Sequence, residues 1–454
     1  MLSFPTVMLF IRSNFDQTCT DICRVFFCIL LFSMMLQSCS KQKPLENYNF
    51  YGGTARASNY ELSGSFSAMI MTDVPKEAAK KNTTEPLPNG AVVPPIAVTF
   101  NHNYLASSDG YALRYANNKL EWKSPLDTLP SGKRAVAASF PAADVNDNYY
   151  LLANDGAAYS FDKTGKRRFK QALFAPSMQS LFSDLLLLKS SIITAFSANG
   201  TNGTLVKSDV EGKVEWRKEY TLAPTRTIAA DEQENIFVAL SNNESGKSDS
   251  VLSLAPNGSV RWVVQLAETR ITKSPALSVE ASGAGMVLLA GIRERKGERT
   301  DILLALDAQT GKMLWEKTLT FAPQGMSIGS QASGNQPLIV VAGYRVGVGE
   351  PLTLVYGFDQ SGKELWRLSY DLAVIGAPMI GVENIAFVGT KGDAVGVYIM
   401  RKDGVFQQVI SLSDAPLLCL VPGVDVQNNL VFAMTEQLGL IKVGSLPAQR
   451  LLPY

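Results

Sequence analysis

A turn that returns every 40 to 53 residues, an aromatic side chain four places behind most copies of it, and strand-like alternation between copies predict an all-β propeller. The clearest copy is "LALDAQTGKMLWEKTL", residues 304–319. Leu304 and Leu306 alternate with their neighbours as a half-buried strand does. Asp307 to Gly311 then form a turn, since Asp can bond the backbone ahead of it and Gly supplies a positive φ. A second strand follows and carries Trp315.

The same register recurs as "SFDKTGKRRF" at Gly165, "KSDVEGKVEW" at Gly212, "SLAPNGSVRW" at Gly258 and "GFDQSGKELW" at Gly362. Weaker copies sit at Asn118, Gly404 and Gly444, and Asn tolerates the positive φ that Gly otherwise provides. Successive turns lie 47, 47, 46, 53, 51, 42 and 40 residues apart. The aromatic series is Trp122, Phe169, Trp216, Trp262, Trp315 and Trp366. Its even spacing assigns it to packing between units rather than to a site. A second mark, at Ala175-Pro176, Ala223-Pro224, Ser274-Pro275, Ala377-Pro378 and Ala415-Pro416, opens new apolar runs.

A four-stranded blade accounts for this period. Residues 141–176 show its parts: "DNYYLLAND", "GAAYSFDK" and "KRRFKQAL" are three strands, with "RAVAASF" as an inner one before them. Eight turns give an eight-bladed propeller over 91–454, with seven blades as the alternative because the end units are weakest. An N-terminal strand such as "GSFSAMIMT" (64–72) is a candidate to help close the ring.

With 42 basic and 41 acidic residues the chain lacks the basic excess of a general nucleic-acid binder. Cys19, Cys23, Cys28 and Cys39 cluster at the N-terminus, leaving Cys419 alone in the propeller, so internal disulfides are no part of its stability. One His, His102, and one propeller Cys make zinc or haem sites of the usual kind unexpected.

Residues 24–43, "RVFFCILLFSMMLQSCSKQK", read as a signal segment. About a dozen apolar residues follow Arg24, which suits a signal core and is short of the ~20 a membrane span needs. Leu36-Gln37-Ser38-Cys39 resembles the bacterial lipobox, with Gln37 the less usual feature. That resemblance implies cleavage before Cys39, lipid on its thiol and new amine, and a stable membrane anchor. Ser40 in place of Asp favours the outer membrane by the sorting habit of enteric bacteria. The segment before Arg24 carries Arg12, Asp16 and Asp21, unlike a short basic leader, which points to a start downstream of Met1. Residues 1–38 are thus read as a signal peptide and 39–90 as a polar tether and loop, with a Pro-, Lys- and Asn-rich stretch over 73–95 before the first blade.

"ALDAQTGKMLW" (305–315) resembles the repeat of the PQQ-like, or quinoprotein-type, propellers, and the resemblance extends over about 350 residues. In that family the outer-strand Trp docks between neighbouring blades. A lipobox followed by such a propeller resembles the architecture of the outer-membrane assembly lipoproteins typified by BamB. That resemblance implies a non-catalytic scaffold in the periplasm with other envelope proteins as partners, outer-membrane assembly machinery among them. No partner-contacting residue of that family aligns onto this chain.

Quinone-dependent redox would need the adjacent cysteines and the calcium ligands of the PQQ dehydrogenases, and the sequence has no Cys-Cys pair. No cofactor or metal is expected. "GMSIG" (325–329) has the form of a serine-hydrolase elbow, but "SQASGNQPLIVV" after it is no helix and His102 lies upstream. "VGVGEP" (346–351) lacks the third glycine and the βαβ setting of a dinucleotide loop. A small-ligand or redox propeller remains the competing class.

Long links between the second and third strands stand out at 241–250, 292–301 and 344–351. They are expected as loops forming a ridge on one rim. Arg293, Arg295, Lys296, Arg299 and Arg345 gather there, with Glu294, Glu298 and Asp301 between them. Loops on a rigid scaffold often carry binding, so these five cations are the candidate partner-binding residues.

Overall fold

In a computed structural model the described residues run from 92 to 443, apart from short stretches, chiefly 99–102, 176–180, 198–201, 242–247, 280–284, 332–335, 346–351, 412–422, 425–429 and 434–439. Eight antiparallel sheets follow one another along them, spanning 92–125, 142–172, 181–220, 223–266, 269–318, 322–370, 373–411 and 423–443; they are numbered sheets one to eight here. Seven have a four-strand path in sequence order, and the eighth has three strands among the described residues. The first strand, Val92–Val98, lies beside Gly423–Val424 and Leu430–Ala433, so the last sheet meets the first.

The strands are hydrophobic on both faces because each middle strand is covered on both sides. Sheet five shows this best. Val287, Leu289, Ile302, Leu304 and Leu306 pack with Phe237, Val251 and Trp262 of sheet four. The alternate residues Met286, Leu288, Ala290, Leu303 and Ala305 pack with Met326, Ile328 and Ile339 of sheet six. A strand's period of two thus feeds two different cores. Among the described residues the apolar clusters lie at the seams between successive sheets rather than in one interior.

The repeated turn does two jobs. Its Asp folds the chain locally. Asp162 Oδ1 accepts from Thr164 N at 2.8 Å and Thr164 Oγ1 at 2.6 Å, and Asp359 accepts from Ser361 and Lys363 amides at 2.9 Å each. Its Gly takes a φ of +73 to +87° at residues 165, 212, 258, 311, 362 and 404, which favours glycine over any residue with a Cβ. That same glycine lies under the aromatic ring of the preceding sheet. A Cβ placed on Gly165, Gly212, Gly311, Gly362 or Gly404 would stand 2.6–2.9 Å from Trp122, Phe169, Trp262, Trp315 or Trp366 respectively, and one on Gly258 would stand 3.0 Å from Trp216. Asn118 and Gly444 lie outside the described residues.

The Xaa-Pro marks also find their physical reason. Ala223-Pro224 lies on an innermost strand, and Ala377-Pro378 lies in a register shift of the innermost strand Ala373–Ile380. Pro has no N–H to give a ladder, so it is tolerated at an edge or bulge. Ala322-Pro323 repeats the device, and Pro94-Pro95 sits in the register shift of Val92–Val98. The latter extends a strand into the 73–95 stretch expected as loop. In sheet two, "RAVAASF" forms no strand but a bridge from Ala137 to Ala153 with backbone bonds to Leu152 and Asn154, and the inner strand is Ala142–Ala143. The candidate closing strand 64–72 and the anchor Cys39 lie outside the described residues.

Trp315 is half-buried. Trp315→Ala should therefore destabilise by about 2 kcal/mol, below the range for a fully buried Trp. Gly362→Ala, which drives a methyl into that ring at a positive φ, should cost as much; urea unfolding of both variants checks this. The turn carboxylates set an acid limit. Hydrogen bonds hold Asp162 below the usual carboxylate range, the Thr164 hydroxyl foremost. At Asp359 desolvation pushes the carboxyl up, but the Ser361 and Lys363 donors outweigh it. A depressed folded pKa stabilises above the unfolded value of about 3.9, and that share is lost as pH falls below it. The urea midpoint should stay level from pH 7 to about 5 and fall below about 4. Asp359→Asn should lower it at neutral pH, and the difference from the parent should shrink as the pH falls below about 4.

Candidate protein-docking surface

Sheet five departs from the others at one end. Its second and third strands, Gly285–Arg295 and Glu298–Asp307, have 11 and 10 residues and pair without a break from Met286–Asp307 to Arg295–Glu298. The outer strand Met313–Thr318 stops pairing at Ile302, and the inner strand Thr269–Ile271 stops at Arg293. The hairpin tip therefore extends beyond the strands that flank it. The 292–301 link is thus not the loop expected from its charge. Only Lys296 and Gly297 turn, with φ of +52° and +84°. Two positive-φ residues make a primed hairpin turn, whose twist matches the strands it joins. The stretch reads as loop in sequence because strands beyond the sheet have no core to face, so both faces carry charge.

This tip lies at the end of the sheet where the chain leaves for sheet six, since Leu319 N donates to Asp301 O at 2.8 Å. The charged residues there are of two kinds. Arg293 is held: its guanidinium pairs with Glu316 and lies 3.3–3.4 Å from Thr269 Oγ1. Its side chain is 31% exposed. Arg295 is 72% exposed, with Glu268 at 3.6 Å. Lys296 and Arg299 are exposed. Desolvation raises the Asp301 carboxyl above its ordinary pKa, against the pull of Arg299. Arg345, exposed, ends the strand Pro337–Arg345 in sheet six. Of the other expected links, 242–247 and 346–351 lie outside the described residues, so the ridge is described only at its middle.

The aromatic series occupies the opposite function, fastening sheet to sheet. The indole N–H of Trp122, Trp216, Trp262, Trp315 and Trp366 donates to Lys163, Pro256, Ala308, Gln360 and Lys402 carbonyls, at 2.8–3.2 Å. Trp262 is buried and the other five aromatics are half-buried. Sequence reading missed a second donor to the same carbonyls: Arg114 at Lys163, Lys207 at Pro256 (3.2 Å) and Arg261 at Ala308 (3.4 Å). Lys207 is almost wholly buried, with Glu215 at 3.2 Å and Glu234 at 3.5 Å. A cation before or after a strand's apolar run carries no sequence signal that it reaches across a seam.

Ser327 of "GMSIG" lies on the strand Ala322–Ser330, fully buried, and its hydroxyl donates to Pro378 O. It stands on no strand-to-helix elbow. His102 lies outside the described residues. Among the described residues, no His, Cys, Asp and Glu group is arranged to hold a metal ion.

The two kinds of cation differ in cost of removal. Arg293→Ala breaks a partly buried ion pair and should lower stability by about 1 kcal/mol. Lys296→Ala and Arg299→Ala should change it by less than about 0.5 kcal/mol. Thermal unfolding of the three variants checks this and identifies which can probe docking without loosening the fold.

Residues 194–350 and 299–407 match a family model described as "Outer membrane protein assembly factor BamB". No curated protein sequence matches the chain. Among solved structures, the Dos1 propeller is similar at a TM-score of 0.51 and 12% identity, over 86% of this chain and 97% of that one. The hydrazine synthase of Kuenenia stuttgartiensis aligns at 0.42 and 10%, over 66% and 93%. The chain titled BBS1N, in complex with ARL6DN, aligns at 0.42 and 14%, over 66% and 88%. The sheet order, the seam-by-seam core and the likeness to the Dos1 propeller agree: the chain is a β-propeller, with PQQ-like repeats matched over residues 194–407.

Proposed function

We propose that this protein is a lipid-anchored scaffold of the bacterial envelope that docks other envelope proteins and performs no chemistry of its own. The observation that carries this reading is the projecting hairpin: a charged tip with Arg295, Lys296 and Arg299 exposed, on the two longest strands among the described residues. Mixed charge at such a tip sets register and choice of partner more than affinity. The family description supports outer-membrane protein assembly as the setting. In that reading lipid on Cys39 holds the ring at the periplasmic face of the outer membrane, and residues 39–90 give it reach.

A photo-reactive residue at position 299, in living cells, tests the docking reading, with one at Lys363 on a turn at the opposite end of its sheet as control. Capture of outer-membrane assembly proteins from 299 and not from 363 is expected. Equal capture from both, or none from 299, would overturn it. Cys39→Ser should move the protein out of the membrane fraction; retention there would remove the lipid anchor from the model.

A further inference from the structure

Each outer strand of a propeller is an edge, with a row of backbone donors and acceptors on its free side. In sheets one to seven these strands are Lys119–Pro125, Arg167–Ala172, Val214–Tyr220, Val260–Leu266, Met313–Thr318, Glu364–Tyr370 and Phe406–Ser411. Each hydrogen-bonds to one neighbouring strand only among the described residues. Charged side chains on an edge oppose the approach of another strand. The first six all carry at least one, and the third carries four in seven residues. The seventh, "FQQVIS", carries none, and nor does Val405 before it. Of the three charged residues of its turn, Arg401 and Asp403 pair with each other and Lys402 is buried.

This edge is also apolar and open. Val405, Phe406 and Val409 are 52%, 45% and 46% exposed. The Phe406 ring centroid lies 6.1 Å from that of Tyr370, so the patch continues onto the next outer strand back. A second observation is independent of charge. The place four residues after the turn glycine holds Gln408, where the six earlier units hold the Trp or Phe that fastens the strand to the next sheet.

We propose that Phe406–Ser411 is a strand-addition site, which takes an extended, uncharged and alternately apolar segment of a partner chain as a fifth strand of sheet seven. The chemistry selects that occupant. A row of backbone N–H and C=O groups is matched only by another extended backbone, which supplies affinity while side-chain contacts supply choice. A lipid surface cannot satisfy it, since unpaired backbone groups are costly there. Two folded copies meeting along six residues fall short of the roughly 20–30 residues a side that a specific interface uses. A flexible segment has no such requirement. The inference does not depend on the hairpin of sheet five: that tip would hold a folded partner, and this edge an unfolded stretch.

The test is fluorescence anisotropy with the full chain purified in detergent and a labelled eight-residue peptide of alternating Val and Thr. Saturable binding is expected, weakened at least tenfold by Val409→Lys and unaffected by Val263→Lys, which adds the same charge to the outer strand of sheet four. The same peptide with Glu at every second Thr should bind at least tenfold more weakly. Circular dichroism of both variants verifies that the ring is folded. Absence of binding, or equal binding to parent and Val409→Lys, would overturn the proposal. So would a dimer seen by light scattering that Val409→Lys abolishes, because the occupant would then be a second copy.

Discussion

The contact on which the rest depends is an aromatic ring laid against a glycine of the next sheet. It joins two requirements in one residue. The turn needs a left-handed φ, and the ring needs a surface without a Cβ; glycine meets both. The indole N–H then ties the ring to a carbonyl of the same turn. Geometry within a repeat and packing between repeats are thereby fixed by the same few atoms. At three seams a cation reaches the same carbonyl, which turns a single hydrogen bond into a small network.

This explains how much of the fold is legible in sequence. Asp, Gly and the aromatic are local in the chain, and their spacing repeats, so the all-β class and the run of sheets can be read off directly. Alternation along a strand such as Gly285–Arg295 is harder to see, since both faces are apolar and feed separate cores. The cations Arg114, Lys207 and Arg261 reach across 47 to 49 residues to their carbonyls, and nothing near them in sequence announces it. The candidate site was legible in place but not in form. Its charge marked it out, yet that charge read as loop where the backbone is a paired hairpin closed by Lys296 and Gly297.

The two candidate surfaces differ in physical kind. The hairpin tip is polar, rigid and held at its root by Arg293 and Glu316. The edge of sheet seven is apolar and relies on the main chain. One suits a shape already formed, and the other a stretch of chain still seeking a partner. A ring of sheets can carry both because the seams hold it together and leave the hairpin tip and the free edge of an outer strand unused.

Since each of sheets two to six offers a ring forward and a glycine backward, the repeat is defined less by its sheet than by the span from one turn to the next. A duplication of one such span brings a complete pair of mating parts with it. The copy can join at either end without any change to its neighbours. Growth of the ring in ancestry is then a matter of copying length, while hairpin tips and the outward residues of the outer strands, which no seam constrains, are left open to drift toward separate uses.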